Sequence, residues 1–164
     1  MGGEDLDSKL VSHFVSLFRR KTGKDISTSP RALRRLRHAC EGAKRTLSTT
    51  ATTNVHVDSL YEGIDMNETL SRARFEEICS EDFRKCLEIV IQTLHEGNIE
   101  KNSIDQIILV GGSTRIPKIQ SMLEGYFQGK KGTQTDTMIT TRLYYEPLTT
   151  PTTNTTFIHQ SPRP

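Results

Sequence analysis

From about Asp5 to Arg20 the apolar residues Leu6, Leu10, Phe14, Leu17 and Phe18 recur every three or four positions, the spacing of a helix that buries one stripe. Gly23 stops it. In Ser27-Thr28-Ser29-Pro30, Ser29 can cap free amides and Pro30 suits a first helical position, because its missing N–H would have no partner there anyway. A second helix is predicted from Pro30, with Leu33, Leu36, Cys40, Ala43 and Leu47 as its apolar line and Arg31, Arg34, Arg35 and Arg37 mostly on other faces.

The period then changes. Val55 and Val57 alternate with Asn54, His56 and Asp58, and Tyr61-Glu62-Gly63 supplies a turn before a second short strand around Ile64 to Leu70. This predicts a hairpin. Ser71 and Ser80 are candidate caps, one for a short helix with Phe75 and Ile78, the other for a longer helix with Phe83, Leu87, Val90, Ile91 and Leu94 that Gly97-Asn98 ends. Ile107-Ile108-Leu109-Val110 is too short for a helix and has the continuous apolar character of a parallel strand covered on both faces. Gly111-Gly112-Ser113-Thr114-Arg115 follows, then Ile116-Pro117 and a helix carrying Ile119, Leu123 and Phe127. From about Lys130 the chain is rich in Thr and Pro, with few spaced apolar residues, and residues 130–164 are expected to form an unstructured tail.

Charge and composition narrow the chemistry. Lys and Arg number 22 against 20 Asp and Glu, a net charge of +2, so no global field draws the chain to nucleic acid or an anionic membrane. The arginines of the second helix have no aromatic stacking platform beside them, and nucleic acid is not expected as a partner. No stretch approaches the roughly 20 apolar residues of a membrane span, and Met1-Gly2-Gly3-Glu4-Asp5 lacks the basic flank and apolar run of a signal peptide. A cytoplasmic location, or the nucleus, is expected. Cys40, Cys79 and Cys86 show no C-x-x-C spacing and their odd number suits a reducing compartment. With His13, His38, His56 and His95 they form no metal-ligand pattern.

Two clusters carry candidate chemistry. The strand, Gly111–Arg115 and helix sequence puts glycines and helix-terminal amides where an anion or polar ring edge can approach backbone. It lacks the G-x-G-x-x-G or G-x-x-x-x-G-K-[ST] spacing, so on these residues alone a plain strand-to-helix turn is the favoured reading. The second cluster is Glu41, Lys44, Arg45 and Ser48, neighbours at the end of the second helix, where cations also suit the negative end of the helix dipole. A solvated basic helix end explains it as well.

The combination resembles one family. Gly2-Gly3-Glu4-Asp5, Lys24-Asp25-Ile26-Ser27, Arg34-Arg35-Leu36-Arg37, Ala43-Lys44-Arg45-Thr46-Leu47-Ser48, Asp58-Ser59-Leu60-Tyr61-Glu62-Gly63-Ile64-Asp65, Arg72-Ala73-Arg74-Phe75-Glu76 and Val110 through Lys118 are similar, in order and spacing, to the second lobe of the ATPase domain of the heat shock protein 70 family. The resemblance runs over residues 1–129. It implies a partial actin-like ATPase domain of α/β class, α+β in its inserted subdomain, with helices on a small hairpin-containing sheet plus one buried strand-turn-helix unit.

The resemblance also implies an adenosine half-site for ATP or ADP. Residues matching Glu41 and Lys44 meet the ribose, those matching Arg45 and Arg115 sandwich the adenine, and that matching Ser48 bonds a ring nitrogen. Gly3 and Gly112 match positions near ribose and phosphates, and Gly111, Ser113 and Ile116 belong to the same set. A planar guanidinium stacks on aromatic rings, and Ser, Lys and Glu bond hydroxyls and ring edges, so the chemistry is coherent. The family's first phosphate loop, its catalytic lysine and glutamate, its metal-associated aspartates and its peptide-binding domain match nothing here. Mg²⁺ is therefore expected only in the complete domain, and the chain alone is expected neither to hydrolyse ATP nor to hold unfolded clients. Positions matching Arg31, Arg34, Arg35 and Asp58 contact nucleotide-exchange co-chaperones in the family, which implies an interaction module as the alternative. His56 stands where the commonest members carry an acidic residue, so any ion pair carried over there is in question.

Overall fold

A computed structural model describes residues 2–135 and 155–158. The chain divides into two compact units, residues 1–82 and 83–164.

The first unit opens with α1 (Gly3–Thr22), which buries Leu6, Leu10, Phe14 and Phe18 of the predicted stripe together with Val11, while Leu17, also predicted, is half-buried. Its start is fixed reciprocally, because the Gly2 N–H donates to Asp5 Oδ2 at 2.7 Å while the Asp5 N–H donates to the Gly2 carbonyl at 3.2 Å. Its end is Gly23 in the left-handed region, φ 73°, with the Gly23 N–H on the Arg19 carbonyl. α2 (Pro30–Thr46) begins as predicted, with Ser29 Oγ accepting from the Ala32 N–H at 3.3 Å and Pro30 in its first turn. α1 packs on α2, and α2 on the hairpin strand β1 (Thr52–Tyr61).

β1 and β2 (Ile64–Ser71) pair antiparallel through a two-residue turn, Glu62 and Gly63, both at positive φ (49° and 77°), as a type I′ turn demands. Val55, Val57, Leu60, Met66 and Leu70 face inward. Between Val57 and Tyr61 the register shifts, and Ser59 in that bulge has φ 41°. α3 (Arg72–Ile78) is capped by Ser71, whose Oγ accepts from the Arg74 N–H at 3.1 Å. Ser80 differs from expectation: α4 (Ser80–Glu96) follows α3 so closely that Ser80 is already its first helical residue, and the Asp82 N–H goes to the Cys79 carbonyl.

In the second unit α4 ends before Gly97, and Asn98 takes the left-handed conformation, φ 50°. β3 (Gln106–Val110) runs parallel to β4 (Thr133–Thr135) on one side and β5 (Thr155–Ile158) on the other. The parallel strand was expected; its burial is less even, with Ile107 and Leu109 buried and Ile108 and Val110 half-buried. α5 (Pro117–Tyr126) buries Ile119 and Leu123. β4 and β5 are new findings, since both fall within the expected tail, where Thr-rich composition masks β-formers. A Cβ on Gly132, just before β4, would sit 2.7 Å from Leu109 Cδ1, so a larger residue there needs the Leu109 side chain to shift. The rest of the tail, residues 136–154 and 159–164, lies outside the described residues.

Candidate functional site

Glu41, Lys44, Arg45 and Ser48 lie three, one and three positions apart, so the helix carries them on one face, with Ser48 in the turn just past its end. Arg45 Nη2 donates to Glu41 Oε1 one turn back, and the Arg45 side chain is 76% exposed, leaving the guanidinium faces open to a planar ligand. Ser48 is held by its backbone, its N–H donating to the Arg45 carbonyl at 3.1 Å. The turn that carries it is clamped by Arg72, whose Nε donates to the Leu47 carbonyl and whose Nη2 donates to the Thr50 carbonyl, each at 2.8 Å. Carbonyls at and beyond a helix end lack helical partners, and a cation both satisfies them and suits the dipole.

Lys44 stands apart in being largely buried, 13% exposed. Its Nζ donates to the Gly3 carbonyl at 2.9 Å and to Asp7 Oδ2 at 2.8 Å, tying α2 to the first turns of α1. Gly3 thus enters the cluster through its carbonyl. Asp7 is the buried charged residue of the described chain, and its Oδ1 has no hydrogen-bond partner among the described residues. The sequence reading missed it. The signal was present: Asp7 is four, seven and eleven positions from Val11, Phe14 and Phe18, on the face that α1 buries, and a lone carboxylate on such a stripe requires a cation. Nearby thiols feel the same environment. Burial first, and then the charge of Asp7, pushes Cys40 up to about 12; burial and the charge of Asp82 do the same for Cys79.

In the second unit Gly111 has φ 104° and ψ 155°, a conformation open essentially only to glycine, and Gly112–Arg115 follow as one 3₁₀ turn. The Thr114 N–H and Oγ1–H both donate to the Gly111 carbonyl, at 3.1 and 2.6 Å, and Gln120 Nε2 donates to the Thr114 carbonyl at 2.8 Å. Gly111, Gly112 and Arg115 are exposed and Ser113 is half-buried. Ile116, by contrast, is buried, with its N–H on the Ser113 carbonyl, so it supports the turn from within.

Of the residues expected to meet a partner, Arg31, Arg35 and Asp58 lie together on the first unit, and Arg34 is exposed on the same helix without lining their concavity. Arg35 Nη1 donates to the Ser59 carbonyl at 2.9 Å and Nη2 to the Asp58 carbonyl at 2.6 Å, while Asp65 Oδ1 accepts from the Ser59 N–H at 2.6 Å. These bonds explain how Ser59 holds a positive φ. Arg31 and Arg34 are exposed, and Arg31, Arg35, Asp58 and Glu62 border a polar concavity of about 620 Å³. His56 Nε2 lies 2.8 Å from Asp58 Oδ1, a hydrogen bond between two exposed side chains at the position in question. Among the described residues no group of three His, Cys, Asp or Glu side chains could hold a metal ion, and no helix is long and apolar enough to cross a membrane.

Two helices on a bulged hairpin in one unit, and a parallel strand, glycine turn and helix in the other, are parts of an actin-like ATPase domain. Residues 1–140 match the family model described as Hsp70 protein. The chain is 56% identical over 131 residues to the heat shock 70 kDa protein of Trichophyton rubrum, covering 80% of this chain and 20% of that one. Over the same length it is 55% identical to heat shock cognate 70 kDa protein 3 of Dictyostelium discoideum (80% and 21%) and 52% identical to a ribosome-associated molecular chaperone of Zygosaccharomyces rouxii (80% and 21%). The chain belongs to the Hsp70 family. It spans about a fifth of the length of the curated relatives it matches.

Proposed function

We propose that this chain carries adenosine contacts of the ATP/ADP site of an Hsp70 chaperone. The observation that supports it most is the shared face of Glu41, Lys44, Arg45 and Ser48, which offers an exposed guanidinium, a hydroxyl and an anchored ammonium within two turns. In this reading Arg45 stacks on the base, Ser48 bonds its polar edge, and Lys44 with Glu41 takes sugar hydroxyls. Gly3 serves by holding Lys44. The Gly111–Arg115 turn is proposed as a ligand contact on its own grounds, because its glycines leave backbone open to approach and Arg115 carries a planar guanidinium. Binding by exposed elements that enclose little of a ligand is weak. Titration of isotope-labelled chain with ADP, followed by amide NMR, is expected to move Arg45 and Ser48, with the effect lost in Arg45→Ala. Shifts that bypass α2, or a sub-micromolar dissociation constant, would count against this reading.

The second reading is an interaction module for nucleotide-exchange co-chaperones. It is favoured by the concavity at Arg31, Arg35 and Asp58, where Arg35 is already locked and loses little freedom on binding. Capture of an exchange factor by the chain should fall at least about tenfold in Arg31→Glu, which opposes charge to an acidic partner. Retention of full capture by that variant would sink the module reading.

A further inference from the structure

We propose that Asp7 is the positioning residue for Lys44, fixing the direction of the ammonium so that its remaining N–H meets a ligand hydroxyl. The proposal rests on the reading that the end of α2 faces a nucleoside. An ammonium has three donors, and two are assigned: one to Asp7 Oδ2 at 2.8 Å and one to the Gly3 carbonyl at 2.9 Å. Both acceptors sit in the first turns of α1, so two bonds and a buried stem determine where the third donor points. Asp7 is itself immobilised, with 8% of its side chain exposed and Oδ1 enclosed. Among the described residues its hydrogen-bonded cation is Lys44. The carboxylate's charge is therefore directed at one ammonium.

A purely structural ion pair does not account for this arrangement as well. Two apolar side chains of similar volume would hold α1 against α2 at least equally, because a buried pair recovers little more than the cost of removing both charges from water. What the pair contributes beyond an apolar contact is orientation. A free lysine is a flexible point charge that tells one sugar hydroxyl poorly from another; a lysine bound at two corners becomes a directed donor.

The test uses the chain itself with three nucleosides: adenosine, 2′-deoxyadenosine and 3′-deoxyadenosine. Amide NMR reads binding at Arg45 and Ser48, and the Lys44 ammonium resonance reads anchoring. The wild type is expected to prefer adenosine over at least one deoxy analogue by about tenfold, the scale of one hydrogen bond to a charged group. Asp7→Ala is expected to bring that ratio to about one and to broaden the ammonium resonance, while base-dependent shifts persist. Asp7→Asn keeps the shape and one neutral acceptor, so it should fall between, and Asp7→Glu should restore part of the preference. If Asp7→Ala does not fold, Asp7→Asn decides. An unchanged ratio and an unchanged ammonium resonance in that variant overturn the positioning role alone. Absence of shifts in the wild type at millimolar nucleoside overturns the nucleoside reading and the role of Asp7 with it.

Discussion

His13 illustrates how a single side chain reports its surroundings. It is half-buried on α1, edge-on to Phe14 at 5.2 Å between ring centres. Burial first, then the positive charges of Arg74 and Arg20, against a smaller opposite effect of Glu77, hold it below its ordinary value of 6.5. The fold thus favours the neutral imidazole. Between the lowered folded value and 6.5 the unfolded chain binds more protons, so stability is complete above that range and declines as pH falls through it. The thermal midpoint should drop on going from about pH 7.5 to about pH 5.5, and His13→Gln should remove part of that slope. A slope unaffected by His13→Gln would place the titration elsewhere. At the same scale Asp7 shows why a buried partner is hard to read from sequence: its position on the apolar stripe of α1 was visible, but nothing linear connects it to Lys44, 37 residues on.

Elements followed their local signals closely. Ser29-Pro30, Gly23, Ser71 and Glu62-Gly63 punctuate the chain because capping and positive φ depend on residues a few positions away. Where an element's end is shaped by its neighbour, the signal weakened. Ser80 became helix instead of cap because α3 and α4 abut, and the Ser59 bulge depends on Arg35 from another element. The glycine turn after β3 gives a clear test at this scale. Nothing lies within 4 Å of a Cβ added at Gly111, so Gly111→Ala would meet no neighbour; its cost is the backbone conformation alone. Denaturant unfolding should show a loss of about 1–3 kcal/mol. A neutral effect would mean that the turn relaxes to ordinary dihedrals.

For the molecule as a whole, family membership rests on 131 aligned residues, yet those residues make up about a fifth of each relative. Phosphoryl transfer depends on groups that place a γ-phosphate and neutralise its charge. We propose that a stretch matching about a fifth of each relative turns over ATP no faster than background. Turnover abolished by Arg45→Ala would reverse that expectation.

What the sequence determined by itself is whatever short-range chemistry governs: the amphipathic stripes, their caps, the hairpin turn, and the four-residue face at the end of α2. A helix places residues three and four apart together whatever surrounds it. Tertiary structure decided how far each of those four is exposed. It buried Lys44 against Asp7 and Gly3, left Arg45 in solvent, turned Ile116 inward, and drew two strands beside β3 from a Thr-rich segment without a β-pattern. Burial and long-range pairing are properties of packing, in which contacts form between residues that the chain order keeps far apart.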